Sequence, residues 1–224
     1  MNKIHWVGDS TVAYNGINTF PQTGIGQVFH LYCKREYEVI DYAKNGASSK
    51  SFYDSGLFTP ALEKMEHGDF LFIQFGHNDE KPKEDRHTDP YTSYHEYLMK
   101  YANAAREKGV HPVFLTPLSR RHFKEDGKIE DSHTEYPGAM IDLAKREKIP
   151  YIDLCESSKQ LLERTGDMDS RKWFMYFPAG SYSNYTEDKT DNTHLHYEGA
   201  VVMAGLVADG IRNLQGIYSE ILLP

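Results

Sequence analysis

The sequence is poor in cysteine: Cys33 and Cys155 are the only two among 224 residues, and they lie far apart. A disulfide scaffold and a Cys-x-x-Cys redox or zinc motif are thereby excluded, and both side chains are expected to be free thiols. No apolar run approaches the ~18 residues of a membrane span, and the amino-terminal segment lacks the apolar stretch and small-residue cleavage site of a signal peptide. A soluble protein of the cytoplasm is therefore expected, with no membrane partner. Basic residues are in deficit as well. Lys+Arg number 25 against Asp+Glu 33, a formal net charge of −8, which argues against nucleic acid as the main partner.

Several catalytic motifs are missing too. There is no Gly-x-Ser-x-Gly, so the nucleophile elbow of the α/β-hydrolases is ruled out. Gly24-Ile25-Gly26 lacks the third glycine of a dinucleotide fingerprint, and neither a Walker A loop nor a His-Glu-x-x-His pair occurs. His194-Leu195-His196 has no further ligands at obvious spacing. No metal and no cofactor are expected.

What is there, 39% hydrophobic, 26% charged and 13% aromatic, is an ordinary globular composition. Short apolar runs at 4–7, 37–42 (YEVIDY), 69–75 (DFLFIQF), 113–115 and 150–154 read as strands. They are near-continuous rather than alternating, as parallel strands covered on both faces should be. Helical periodicity is expected over 26–35, 52–66, 93–108, 136–148 and 197–213. Strand–helix alternation predicts a three-layer α/β/α, flavodoxin-like fold with a five-stranded parallel sheet. No linker or repeat divides residues 1–224, so one domain is expected. Two long irregular segments, 118–135 and 167–193, stand out, the second rich in aromatics that include Trp173 and Tyr182.

Ligands in such sheets bind at the carboxyl ends of the strands, and small polar clusters fall there: Gly8-Asp9-Ser10-Thr11, Asn45-Gly46-Ala47-Ser48, Gly76-His77-Asn78-Asp79 and, before the last helix, Asp191-Asn192-Thr193-His194. They contain the parts of acyl transfer: a hydroxyl at Ser10, a base at His194, and a carboxylate three residues earlier to orient it. Gly46 leaves its N–H open to approach and Asn78 carries an amide, so with the Ser10 N–H they could hold an oxyanion. Each cluster alone is an ordinary turn or cap; their order on one scaffold is what points to chemistry.

Taken together the four blocks resemble those of the SGNH, or GDSL-type, hydrolase superfamily. With Thr116-Pro117-Leu118-Ser119-Arg120-Arg121 and the aromatic stretch before Asp191, they are most similar to rhamnogalacturonan acetylesterases. That resemblance implies a serine esterase acting on acetylated pectin-derived oligosaccharides, with Ser10 as nucleophile, His194 as base, Asp191 as orienter, and Ser10, Gly46 and Asn78 as the oxyanion hole. Without a signal peptide or disulfides it resembles the bacterial intracellular type, acting on imported fragments. The alternatives are an esterase of the same fold for acetyl-xylan or another acyl ester, and a carbohydrate-binding protein without turnover.

A galacturonate chain is anionic, and a uniformly acidic protein would repel it. Cationic groups at the cleft are therefore expected, with Arg120, Arg121, His122 and Lys124 the candidates and His77, Trp173 and Tyr182 as further substrate contacts. A loop that pairs these arginines with its own carboxylates is the alternative.

Overall fold

The computed structural model describes residues 2–82 and 85–224. Five strands, β1 (Asn2–Gly8), β2 (Tyr37–Asp41), β3 (Phe70–Gln74), β4 (His111–Leu115) and β5 (Tyr151–Ile152), pair in the order β2-β1-β3-β4-β5. Every pairing is parallel, which is the flavodoxin-like arrangement expected.

The two-residue side-chain period of a strand sends alternate residues of the central strands into separate cores. Phe70 and Phe72 of β3 join one apolar cluster, while Leu71 and Ile73 join the other. On the first face Trp6 meets Phe29 and Phe72 edge to face, with centroids 5.4 and 5.0 Å apart. That face is covered by α1 (Ile25–Val28), α6 (Leu154–Thr165) and α8 (Tyr197–Leu214); the opposite face by α2 (Ser49–Asp54), α3 (Thr59–Lys64), α4 (Ser93–Glu107) and α5 (Tyr136–Glu147).

Several elements depart from the sequence expectation. The single helix expected over 52–66 is two. A capping box between Ser48 and Ser51 starts α2 early, and Gly56 at φ +71 breaks the chain before α3. The helix expected over 26–35 is the short α1 followed by a 3-10 turn, Phe29–Tyr32. Helix α6 was not expected at all, although Asp153 caps it by accepting the Glu156 N–H and Leu154, Ser158 and Leu162 line its buried stripe.

The segment 167–193 is not structureless. After a short helix, α7 (Asp167–Ser170), β6 (Phe174–Phe177) and β7 (Lys189–Leu195) form an antiparallel ribbon apart from the main sheet. Its register jumps: Met175 faces Asp191 while Phe174 faces Leu195, so residues 192–194 bulge out of the ladder. A last turn, α9 (Gly216–Ser219), brings Leu222 against Cys33. Both cysteines are free, and among the described residues no helix is long and apolar enough to cross a membrane.

Candidate active site

Strand β1 delivers Gly8-Asp9-Ser10 to the carboxyl edge of the sheet. The turn that follows is fixed by Asp9, whose Oδ1 accepts from both the Thr11 N–H and the Thr11 hydroxyl at 2.9 Å, and whose carbonyl accepts from Val12 and Ala13. Asp9 is fully buried, and burial pushes its carboxyl above the ordinary range. The turn leaves Ser10 7% exposed, enough to reach a ligand and too little to be solvated freely.

The β7 bulge supplies its partners. His194 Nε2 lies 3.0 Å from Ser10 Oγ, and His194 Nδ1 lies 2.8 Å from Asp191 Oδ2. The other carboxylate oxygen of Asp191 accepts from the Thr193 and His194 N–H groups, each at 2.9 Å. The three-residue spacing thus closes a local loop in which one carboxylate holds both the backbone and the ring of the histidine. Burial raises the Asp191 carboxyl, but the bond to His194, its charge and the two N–H donors outweigh that and hold it well below the usual carboxylate range. Lys189 Nζ also stands 3.3 Å from Oδ2.

Gly46 and Asn78 come from the loops after β2 and β3. Gly46 adopts φ +79, a left-handed conformation that glycine takes without cost, inside a turn closed by Ala47 N–H to Lys44 O at 3.1 Å. Asn78 is 2% exposed. Its Nδ2 donates to Ala47 O at 2.9 Å, and its Oδ1 accepts from Lys81 Nζ at 2.8 Å. These two bonds set the orientation of the amide and leave its second N–H for a ligand. Beneath it, Asp79 accepts from the Ser49 N–H and hydroxyl and from Thr88 Oγ1. Burial pushes the Asp79 carboxyl up to about 7.

The remaining expected contacts lie deeper than the sequence suggested. His77 is 2% exposed, neither ring nitrogen has a hydrogen-bond partner among the described residues, and burial holds its pKa well below the usual imidazole value; it packs edge-on against His133 at 4.5 Å. Arg120 is ion-paired with Glu80 and donates to the carbonyls of Ser132 and His77. Arg121 is buried against Asp167 and grips Asn192, through its backbone N–H to Asn192 O at 2.8 Å and through Nη1 to Asn192 Oδ1 at 2.9 Å. Neither is a free cation at a rim, and neither pairs with a carboxylate of its own loop: their partners, Glu80 and Asp167, come from other segments of the chain.

Trp173 is half-buried on the core, and its carbonyl accepts the His196 N–H at 2.9 Å. The Tyr182 hydroxyl meets His196 Nε2 at 3.0 Å, and its ring contacts Phe20 and Phe177. The second histidine of His194-Leu195-His196 is thereby engaged away from the first. Among the described residues, no three His, Cys, Asp or Glu side chains gather as metal ligands. Sequence reasoning overlooked Lys81 and Lys189, whose contacts with Asn78 and Asp191 only the folded chain brings about.

A hydroxyl, an imidazole and a carboxylate in one hydrogen-bonded line, beside a buried amide, is the arrangement of a serine hydrolase. No family model matches the chain. Over 212 residues it is 42% identical to rhamnogalacturonan acetylesterase RhgT of Bacillus subtilis (strain 168), covering 95% of this chain and 90% of that protein. The chain belongs to the rhamnogalacturonan acetylesterase family. It is also 39% identical over 214 residues to the probable rhamnogalacturonan acetylesterase YesY of the same organism, covering 95% and 94% of the two. In fold it is similar to the crystal structure of the Bacillus subtilis protein YxiM, with a TM-score of 0.82 and 24% identity over 95% of this chain and 56% of that one. An acetylxylan esterase from Geobacillus stearothermophilus shares the fold at a TM-score of 0.64 and 12% identity, over 93% of each chain. This family member is thus a carbohydrate acetylesterase with the GDSL-type fold.

Proposed function

We propose that the enzyme removes O-acetyl groups from rhamnogalacturonan-derived oligosaccharides by two-step acyl transfer. The observation that carries this reading is the continuous line Asp191–His194–Ser10, with links of 2.8 and 3.0 Å. Ser10 Oγ attacks the acetyl carbonyl while His194 Nε2 takes its proton. Asp191, ionised and bonded to Nδ1, fixes the tautomer and supports the imidazolium. The Ser10 N–H, the Gly46 N–H and the free N–H of Asn78 receive the developing oxyanion. Collapse expels the sugar oxygen, which takes the proton from His194, and leaves an acetyl ester on Ser10. Water then gives a proton to His194 and attacks that ester; the second collapse returns a proton to Ser10 and frees acetate.

Two free thiols, one of them buried, support a reducing compartment and action on imported fragments in the cytoplasm. The substrate assignment is tested by measuring acetate release from acetylated rhamnogalacturonan fragments and from acetylated xylo-oligosaccharides. A clear preference for the first is expected. Preference for xylan would overturn the substrate, and no release from either would overturn the esterase reading.

A further inference from the structure

The acidity of the chain leaves a requirement that Arg120 and Arg121 do not meet. The net charge is −8, a galacturonate-containing ligand is anionic as well, and both arginines have their charge matched by Glu80 and Asp167. Lys189 stands on Asp191, and Lys81 holds Asn78. Arg86 is a further cation at the cleft, beside Gly46.

The Arg86 guanidinium lies against Gly46: a Cβ at position 46 would stand 3.5 Å from Nη1 and 3.9 Å from Nη2 and Cζ. Among the described residues its ion-pair partner is Asp85, reached through Nε at 3.7 Å, with the Asp85 side chain 71% exposed. That contact is long and wet, and it engages the Nε side rather than the terminal fork. The Arg86 side chain is itself 31% exposed, so it is accessible to a ligand without being free in solvent. Its backbone is tethered two residues on. Thr88 bonds Asp79 through its N–H to the carbonyl and through its hydroxyl to the carboxylate, both at 3.1 Å, and its carbonyl accepts from Tyr136. The cation is therefore anchored to the same loop that carries Asn78, and it borders Gly46, whose N–H the functional reading above assigns to the oxyanion.

We propose that Arg86 forms a carboxylate-binding subsite beside Gly46, which takes the uronate group of the sugar at or next to the acetylated position; this rests on the functional reading above. The planar guanidinium presents paired N–H donors that match a carboxylate bidentately. Gly46, having no side chain, leaves the space between that fork and the oxyanion donors open. Recognition of the acid and polarisation of the ester are thus built from adjoining loops.

The test is binding, which does not depend on turnover. Ser10→Ala and Ser10→Ala/Arg86→Gln are titrated calorimetrically with an acetylated rhamnogalacturonan oligosaccharide and with the same oligosaccharide after its carboxyl groups are reduced to alcohols. The second variant should bind the acidic oligosaccharide about tenfold or more weakly, both should bind the reduced one equally, and the difference should shrink as salt is raised. Arg86→Lys, which keeps the charge and loses the fork, should fall between. Equal affinities for the acidic oligosaccharide, no binding of it by Ser10→Ala, or an equal loss on both oligosaccharides would overturn the subsite; the last is what a direct role at the oxyanion would give. Acetate release by the wild type without any Arg86 dependence overturns the subsite alone, whereas Arg86-dependent binding without acetate release overturns the functional reading alone.

Discussion

Replacing Arg121 by Met separates two roles for a buried cation. Arg121 is 3% exposed and joins three segments: Asp167 on α7, through an ion pair and the carbonyl at 2.9 Å; Asn192 in the bulge, through Nη1; and the rings of Tyr176 and Phe123, with its Cζ 4.8 and 5.6 Å from their centroids. The Asp167 carboxylate is 44% exposed and rehydrates when the arginine is lost, so its ion pair is worth at most ~1 kcal/mol. Asn192 Oδ1 keeps the Tyr176 hydroxyl, but the charged bond to it and the stacking on Tyr176 are lost, together ~2–3 kcal/mol. A total near ~3 kcal/mol lowers Tm by roughly 6–12 °C in a chain of this size. Because Asn192 lies between Asp191 and His194, the same loss loosens the bulge that carries the proposed base, and kcat should fall by ~10²-fold while KM changes little. Calorimetric melting and steady-state kinetics on 4-nitrophenyl acetate and on an acetylated uronate oligosaccharide read both effects. An unchanged Tm with a KM raised only for the uronate substrate would refute this reasoning and restore Arg121 as a substrate contact.

Asn78→Ala should lower kcat by ~10²–10³-fold, and turnover that survives intact would remove the amide from the oxyanion hole. Lys81→Met should lower kcat by roughly tenfold through a misaligned Asn78, with the single bond it loses worth ~1.5–3 kcal/mol at most; Lys81→Arg should restore most of it, and a wild-type kcat in the Met variant would contradict the positioning role. Asp79, pushed up to about 7 by burial, titrates near 3.9 when unfolded, so its contribution to stability is full at acid pH and is lost as pH rises through about 7. His77, held neutral by burial, acts in the opposite sense as pH falls, which makes the variant-minus-wild-type difference the quantity to follow. The Tm of Asp79→Asn relative to wild type should increase from pH 5 to pH 8, and a difference that falls over that range would contradict the raised pKa.

The parts of this molecule legible in its sequence are those set by local chemistry. The five strands are short apolar runs, the central β1, β3 and β4 largely buried, and the helices α4, α5 and α8 carry a clear apolar stripe, so each falls within a few residues of its expected place. The line of Ser10, Asp191 and His194 was visible because small polar clusters follow apolar strands in chain order. The geometry that joins them was not. Asp191-x-x-His194 reads as a tight turn or the entry to a helix, yet His194 sits in a bulge of β7, because β6 pairs on either side of residues 192–194, Met175 with Asp191 and Phe174 with Leu195. Arg120 and Arg121 look like surface cations in a polar segment. Their partners Glu80 and Asp167 lie 40 and 46 positions away, and no local pattern announces a long-range ion pair. Lys81 and Arg86 stayed unremarked for the same reason: what distinguishes them is a neighbour, Asn78 for one and Gly46 for the other, not a motif.

Acetate release from an acetylated rhamnogalacturonan oligosaccharide by wild type and by Ser10→Ala bears most directly on the claim that Ser10, activated by His194, carries the acetyl group. Ser10→Ala should lower kcat by ~10³-fold or more with the fold intact. A Ser10→Ala protein that releases acetate at the wild-type rate would contradict the account.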